Sequence, residues 1–267
     1  MTLDTSRFSE GPLRVQSDER GVVTLTLDDP GRFNALGHEM LAALQAALKD
    51  IAADESVRVV VLAAHGKAFC AGHNLKDMAA HPELPFYQDL FAQCSRMMLA
   101  IHKLPVPVIA RVQGMATAAG CQLVAQCDLA VASEDASFAT SGIQYGLFCS
   151  TPSVPLVRNV PAKVAMEMLL TGEFIDARTA LEQGLVNRVA SPARLDAEVD
   201  KLVEAILSKP RVAVAMGKEL VYRQREMGIE AAYQLAGQTM AVNMMDADAQ
   251  EGACAFAQKR KPVWGKA

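Results

Sequence analysis

None of the six cysteines, at positions 70, 94, 121, 127, 149 and 254, stands in a C-x-x-C pair or at zinc-ligand spacing, so they read as reduced, mostly buried small hydrophobes. No charged n-region followed by an apolar stretch opens the chain, and no apolar run approaches membrane-spanning length. A reducing cytoplasm is the compartment expected from these two absences. The chain also lacks G-x-x-x-x-G-K-[ST], G-x-G-x-x-G and G-x-S-x-G, so phosphate-loop, dinucleotide and serine-hydrolase chemistry lose their usual anchors. His38-Glu39 has no second histidine at the helical offset, and the five histidines are scattered, so no metal site is expected. A net charge of −4 argues against a nucleic-acid or anionic-membrane partner. There is no internal repeat and no low-complexity tract.

What is present is a chain of 267 residues, 51% hydrophobic and 21% charged, long enough for one large α/β domain or a domain with a helical appendage. It is organised around residues 113–128, QGMATAAGCQLVAQCD, which follow the apolar run Val106-Pro107-Val108-Ile109-Ala110. A β-branched run that breaks at Gly114 and passes through small residues into Leu123 and Val124 predicts a buried strand, a tight turn and a helix start. Backbone N–H groups at such a helix start have no intrahelical partner and sit at the positive end of the helix dipole, which suits a ligand oxygen. A plain strand–helix packing corner needs the same small residues, and both readings stand on this segment alone.

The rest of the chain supplies a second junction. Residues 1–12 are a loose N-terminal arm, and residues 13–27 predict a hairpin turning at Asp18-Glu19-Arg20-Gly21. Asp29 to Asn34 form a loop, after which Met40, Leu44, Leu48 and Ile51 recur at helical spacing. Arg58 to Ala64 (RVVVLAA) predicts a strand buried on both faces, and it ends in the small-residue bend from His65 to Lys76. Two such junctions allow two N–H groups to converge on one oxygen, as a polarised thioester carbonyl or enolate requires. Further on come a loop at 81–85, a helix at 86–102, strands at 128–132 and 136–139, and a long loop at 140–155 of the kind that carries function. From Lys163 the pattern is helical: 164–170, 177–182, 195–207, 212–222, 229–244 and 252–258.

The two junctions together resemble the crotonase family, the enoyl-CoA hydratases and isomerases. FCAGHNLK at 69–76 is similar to that family's first oxyanion-hole segment and QGMATAAGCQLVAQCD to its second. Supporting similarity runs from Asn34-Ala35-Leu36 through Thr171-Gly172-Glu173 and Gly184-Leu185-Val186 to the terminal KRKPVW. The resemblance implies an α/β fold, a crotonase-like spiral core of repeated ββα units over 13–207, with a C-terminal α-helical trimerisation region over 208–267. It implies an acyl-CoA thioester as partner, no cofactor beyond that coenzyme A, and a homotrimer or dimer of trimers.

Carried over by position, the two oxyanion donors fall on the backbone N–H of His73 and of Ala119, the latter usually a glycine. Ala35, Ala71, Gly72, Asn74, Leu75, Lys76 and Gly120 would line the substrate groove. Lys76, with Lys259, Arg260 or Lys261 from a neighbouring subunit, would neutralise CoA phosphates; a solvated tail is the other reading of that basic run. A hydratase also uses two glutamates to hold water and exchange its protons, and their positions here are Gln122 and Gly142. Gln122 keeps the shape but accepts no proton, and Gly142 has no side chain. Each acid–base group contributes about 100- to 10,000-fold, so efficient hydration by the usual route is not expected. Ser150 stands where some members of this family carry another carboxylate; Cys149, Gln144 and Tyr145 are further polar candidates.

Overall fold

The computed structural model describes residues 4–265. Residues 1–3 of the expected arm and the last two residues of the expected C-terminal region lie outside that range. The arm is anchored by a short 3-10 turn, Ser6–Phe8, whose Phe8 ring is buried.

Strands β1 (Leu13–Ser17) and β2 (Val22–Leu27) form the expected hairpin. Its turn is held by the Asp18 carboxylate, which accepts from the N–H of Arg20 and of Val22 at 2.9 and 3.0 Å. Helix α1 (His38–Ala53) buries Met40, Leu44, Leu48 and Ile51, the stripe that its spacing predicts. Next comes β3 (Val59–Ala64), buried at every position. Its side chains alternate between two apolar clusters: Val60 and Leu62 face the large core under α1, while Val59 and Val61 face a smaller one. That explains the unbroken apolar run, since each side chain buried in this way contributes about 1.5–3 kcal/mol on either face.

From β3 onward the chain repeats one unit. A strand joins a first sheet, a short second strand turns into another sheet, and a helix follows. β3 leads to β4 (Ala68–Cys70), α2 (Leu75–Ala80) and α3 (Leu84–Lys103). β5 (Val108–Val112) leads to β6 (Met115–Thr117) and α4 (Ala119–Gln126). β7 (Leu129–Ser133) leads to β8 (Ser137–Ala139), a 3-10 turn Ser141–Tyr145 and α5 (Ser150–Asn159). There follow α6 (Ala162–Thr171), β9 (Ile175–Asp176), α7 (Ala177–Glu182), β10 (Arg188–Ala190) and α8 (Leu195–Leu207), which covers the smaller cluster. The described residues form a six-stranded sheet in the order β1-β2-β3-β5-β7-β10, parallel except at β1/β2. The second sheet runs β4-β6-β8-β9, antiparallel only at β8/β9. This is the expected spiral of ββα units.

Several local expectations change. Strands β4 and β6 lie inside the stretches read as bends, because three residues are too few to show periodicity. The long loop at 140–155 contains the start of α5, hidden by two prolines. Pro152 falls in the first helical turn, where its missing N–H costs nothing, and Pro155 forgoes one backbone bond but is buried in the core. Helix α3 begins at Leu84, with Pro85 in its first turn, inside the expected 81–85 loop.

The last helices are α9 (Arg211–Gln224), α10 (Ile229–Met244) and α11 (Ala247–Ala257). α11 starts before the expected 252 because the Asp246 side chain caps it, accepting from Asp248 N–H at 3.0 Å. α9 is tied to the core by a buried ion pair: Lys218 Nζ lies 2.7 Å from Asp128 and 3.0 Å from both Ile101 O and Val106 O. Tyr222 donates to the other Asp128 oxygen at 2.7 Å. α10 packs on α9, and its Ile229, Tyr233, Met240 and Val242 are exposed. No helix of the described residues is long and apolar enough to cross a membrane.

Candidate functional site

The two small-residue junctions meet face to face. Asn34, fully buried and at φ +55°, donates from its amide to His65 O and Ala68 O, both at 2.9 Å, and accepts from Asp29 N–H at 2.9 Å. That fixes the loop before α1 against the end of β3. From there Leu36 N–H donates to Gly72 O at 2.8 Å, and Ala71 N–H donates to Phe33 O at 3.0 Å. The first junction is thus clamped along its backbone. On the second, Ala118 takes φ +50°, a conformation that costs a non-glycine residue about 1–3 kcal/mol. Its own N–H donates to Ala139 O and its carbonyl accepts from Gln122 N–H, both at 3.0 Å.

Glycines set how closely these segments approach. A Cβ at Gly120 would lie 1.9 Å from Cys70 O, so β4 and α4 touch through backbone. A Cβ at Gly72 would lie 2.9 Å from Ala119 N and 2.9 Å from the Ala118 methyl. The peptide ahead of His73 is therefore packed against the start of α4. Neither His73 N–H nor Ala119 N–H has an acceptor among the described residues, and both residues line one cavity of about 640 Å³.

Of the residues expected in the site, His73, Ala119, Gly142, Ser150, Ala35, Ala71, Asn74, Leu75 and Lys76 border this cavity. Gly72 and Gly120 stand behind its wall as spacers. Gln122 is 4% exposed and does not line the cavity, and its side-chain oxygen has no partner among the described residues. Lys259 and Lys261 lie past α11 and do not border the cavity within this chain; Arg260 is held by Glu251 through two contacts of 2.6 and 2.7 Å. The Asn74 side chain caps α2, accepting from Lys76 N–H at 3.0 Å.

Sequence reasoning missed Arg32 and Phe33 from the loop, Met78 and Phe91 from α2 and α3, Thr117 from β6, and Leu147, Phe148 and Phe174. These complete a mainly apolar lining, and nothing in their spacing marks them. No Asp or Glu borders the cavity; its charged side chains are Arg32 and Lys76, both exposed. A larger hollow of about 750 Å³ lies over β1–β3, Arg111 and the start of α8; it touches the first junction only at His65 and takes neither His73 nor Ala119.

The His73 ring is fixed by Leu36 O, 2.7 Å from Nδ1; since a carbonyl only accepts, Nδ1 carries the proton. Burial then lowers the pKa of the ring, so Nε2 is an unprotonated, unpartnered acceptor packed edge-on against Phe91. At the Gly142 turn a Cβ would lie 2.5 Å from Leu147 O and 2.9 Å from Cys149 Sγ, so the position has no room for a side chain. Burial pushes the Cys149 thiol up, which keeps it protonated and unreactive. Ser150, at the start of α5, is oriented toward Phe148 O at 3.4 Å.

A spiral of ββα units whose two strand–helix junctions meet at one mainly apolar cavity defines a class of α/β protein. The enoyl-CoA hydratase/isomerase family profile matches residues 17–267. The chain belongs to that family. It is 44% identical to enoyl-CoA hydratase domain-containing protein 3, mitochondrial, of Xenopus laevis over 260 residues, 97% of this chain and 88% of that protein. A crystal structure of an enoyl-CoA hydratase from Mycobacterium smegmatis is 62% identical with TM-score 0.94, covering 96% of this chain and 99% of that one. The human domain-containing protein 3 structure is 44% identical with TM-score 0.91, covering 95% and 100%.

The expected cytoplasmic location is corrected by these comparisons. The relatives from Xenopus laevis, Mus musculus and Homo sapiens are all named mitochondrial. Reduced cysteines report a reducing environment and do not single out one compartment.

Proposed function

We propose that this protein is an acyl-CoA enzyme of the hydratase/isomerase class in fatty-acid metabolism, which polarises a CoA thioester between the backbone N–H groups of His73 and Ala119. The observation that carries this reading is that neither N–H has an acceptor among the described residues and that both residues border the same mainly apolar cavity. A carbonyl oxygen accepting from both would gain charge stabilisation as an enolate develops, on the order of 100- to 1,000-fold per donor. The apolar lining suits an acyl chain. Lys76 and Arg32, both exposed and bordering the cavity, suit the coenzyme's phosphates. The exposed apolar side chains of α10 support assembly into a trimer or a dimer of trimers, with Lys259 and Lys261 reaching a neighbouring cavity.

Water addition through two carboxylates is not part of this proposal, because Gln122 accepts no proton and Gly142 has no room for a side chain. That same feature favours a second reading, a non-catalytic acyl-CoA binder. The test is a panel of short to long 2-enoyl-CoAs and saturated acyl-CoAs, with products followed by mass and binding measured in parallel. Turnover above the buffer blank supports the enzyme, and tight binding without turnover supports the binder. Absence of binding across the panel refutes both.

A further inference from the structure

Thr117 ends β6 two residues before Ala119, and Ser141 opens the turn that contains Gly142. Their hydroxyl oxygens lie 2.7 Å apart in the cavity wall, and neither has another hydrogen-bond partner among the described residues. Thr117 is 7% exposed, so water does not freely complete its bonding. Two hydroxyls carry two hydrogens and four lone pairs between them, and their mutual bond uses one of each. One O–H and three lone pairs therefore remain. A group that engages both kinds of site accepts from the free O–H and donates to one of the lone pairs.

The surroundings decide which acyl groups do this. No carboxylate borders the cavity, and burial keeps the His73 ring and the Cys149 thiol uncharged. A saturated or unsaturated hydrocarbon chain neither accepts nor donates. A keto group accepts only, and a carboxylate accepts only while carrying its charge into an apolar wall. A hydroxyl does both at no charge. Because Thr117 and Ser141 stand within two residues of Ala119 and next to Gly142, the matching hydroxyl sits on one of the first carbons from the thioester carbonyl.

We propose that the Thr117–Ser141 hydroxyl pair is the specificity-determining element of this cavity, selecting acyl thioesters that carry a hydroxyl near the thioester over their plain saturated and unsaturated counterparts. The inference rests on the cavity being an acyl-thioester site. Calorimetric titration of the full chain with butyryl-CoA, crotonyl-CoA, 2-hydroxybutyryl-CoA and 3-hydroxybutyryl-CoA tests it, beside Thr117→Val and Ser141→Ala. One of the hydroxyacyl ligands is expected to bind roughly fivefold to tenfold more tightly than butyryl-CoA, the worth of one or two neutral hydrogen bonds. In each variant that ratio falls toward one.

Equal affinity for hydroxybutyryl- and butyryl-CoA in the native protein overturns the inference while leaving the acyl-thioester reading in place. So does a preference that survives in both variants. If no acyl-CoA binds the native protein, the acyl-thioester reading itself is refuted and the inference with it. A variant that fails to fold announces itself by losing butyryl-CoA as well, and the other variant then carries the test.

Discussion

Restoring a side chain at Gly142 is the perturbation that most directly probes why this site has no second carboxylate. The alanine Cβ at that position would stand 2.5 Å from Leu147 O, a backbone atom, and 2.9 Å from Cys149 Sγ. Leu147 cannot retreat freely, because its N–H donates back to Gly142 O at 3.0 Å and Gly146 N–H donates to Ile143 O at 3.0 Å, closing the loop on itself. Gly142 is not at positive φ, so backbone conformation is no obstacle and the effect is steric. Overpacking of this kind costs about 1–3 kcal/mol. The reduced entropy of the unfolded alanine chain returns about 0.4–1 kcal/mol. Gly142→Ala should therefore lose about 1–2 kcal/mol, and Gly142→Glu more.

Urea unfolding of the native protein, Gly142→Ala and Gly142→Ala with Cys149→Ala measures this. The second substitution removes the 2.9 Å contact and leaves the closer one with Leu147 O, so only a minor part of the loss should return. Gly142→Ala at native stability or above would show that the loop yields, and the steric reasoning would fall. Gly142→Glu, alone or with Gln122→Glu, is then expected to gain no hydration, since the loop it distorts forms one wall of the cavity.

Two further outcomes follow from buried polar groups. Lys218→Met leaves Asp128 without its cation and Val106 O without its donor, at side-chain exposures of 6% and 14% for the pair; unfolding titrations should show a loss of about 3–5 kcal/mol. His73 binds its proton less readily in the folded state than at its ordinary 6.5, so the unfolded chain takes up more protons as pH falls through that value. Stability from this group is intact at pH 7 and declines below about 6.5 toward the lower folded value. His102 shifts in the same direction through burial and contributes equally to both proteins compared. Against His73→Asn, the native protein should therefore show the steeper decline between pH 7 and 5, and parallel profiles would contradict a neutral buried ring.

Long periodic segments were legible in the sequence because their signal is local. The stripe Met40, Leu44, Leu48 and Ile51 needs only the helical repeat to point one way, and the unbroken apolar run of β3 needs only to be covered on both faces. The second sheet was legible only at β8, which the expected strand at 136–139 covers. β4 and β6 have three residues each, and what makes them strands is pairing across wide gaps in sequence. α5 was masked by Pro152 and Pro155, which read locally as loop and are tolerated because tertiary packing buries them.

The candidate site divides along the same line. Motif reading singled out His73 and Ala119, which border one cavity, because strand–helix junctions depend on turn geometry that small residues announce. By itself the sequence determined the family and the spiral of ββα units, and it put Gln122 and Gly142 where the resemblance implies two glutamates. Only the tertiary structure decided that Gln122 is buried outside the cavity lining, that Leu147 O and Cys149 Sγ fill the space beside Gly142, and that Thr117 and Ser141 meet. Side-chain neighbours arise from contacts between distant elements, and residue type carries no record of which atom will lie 3 Å away.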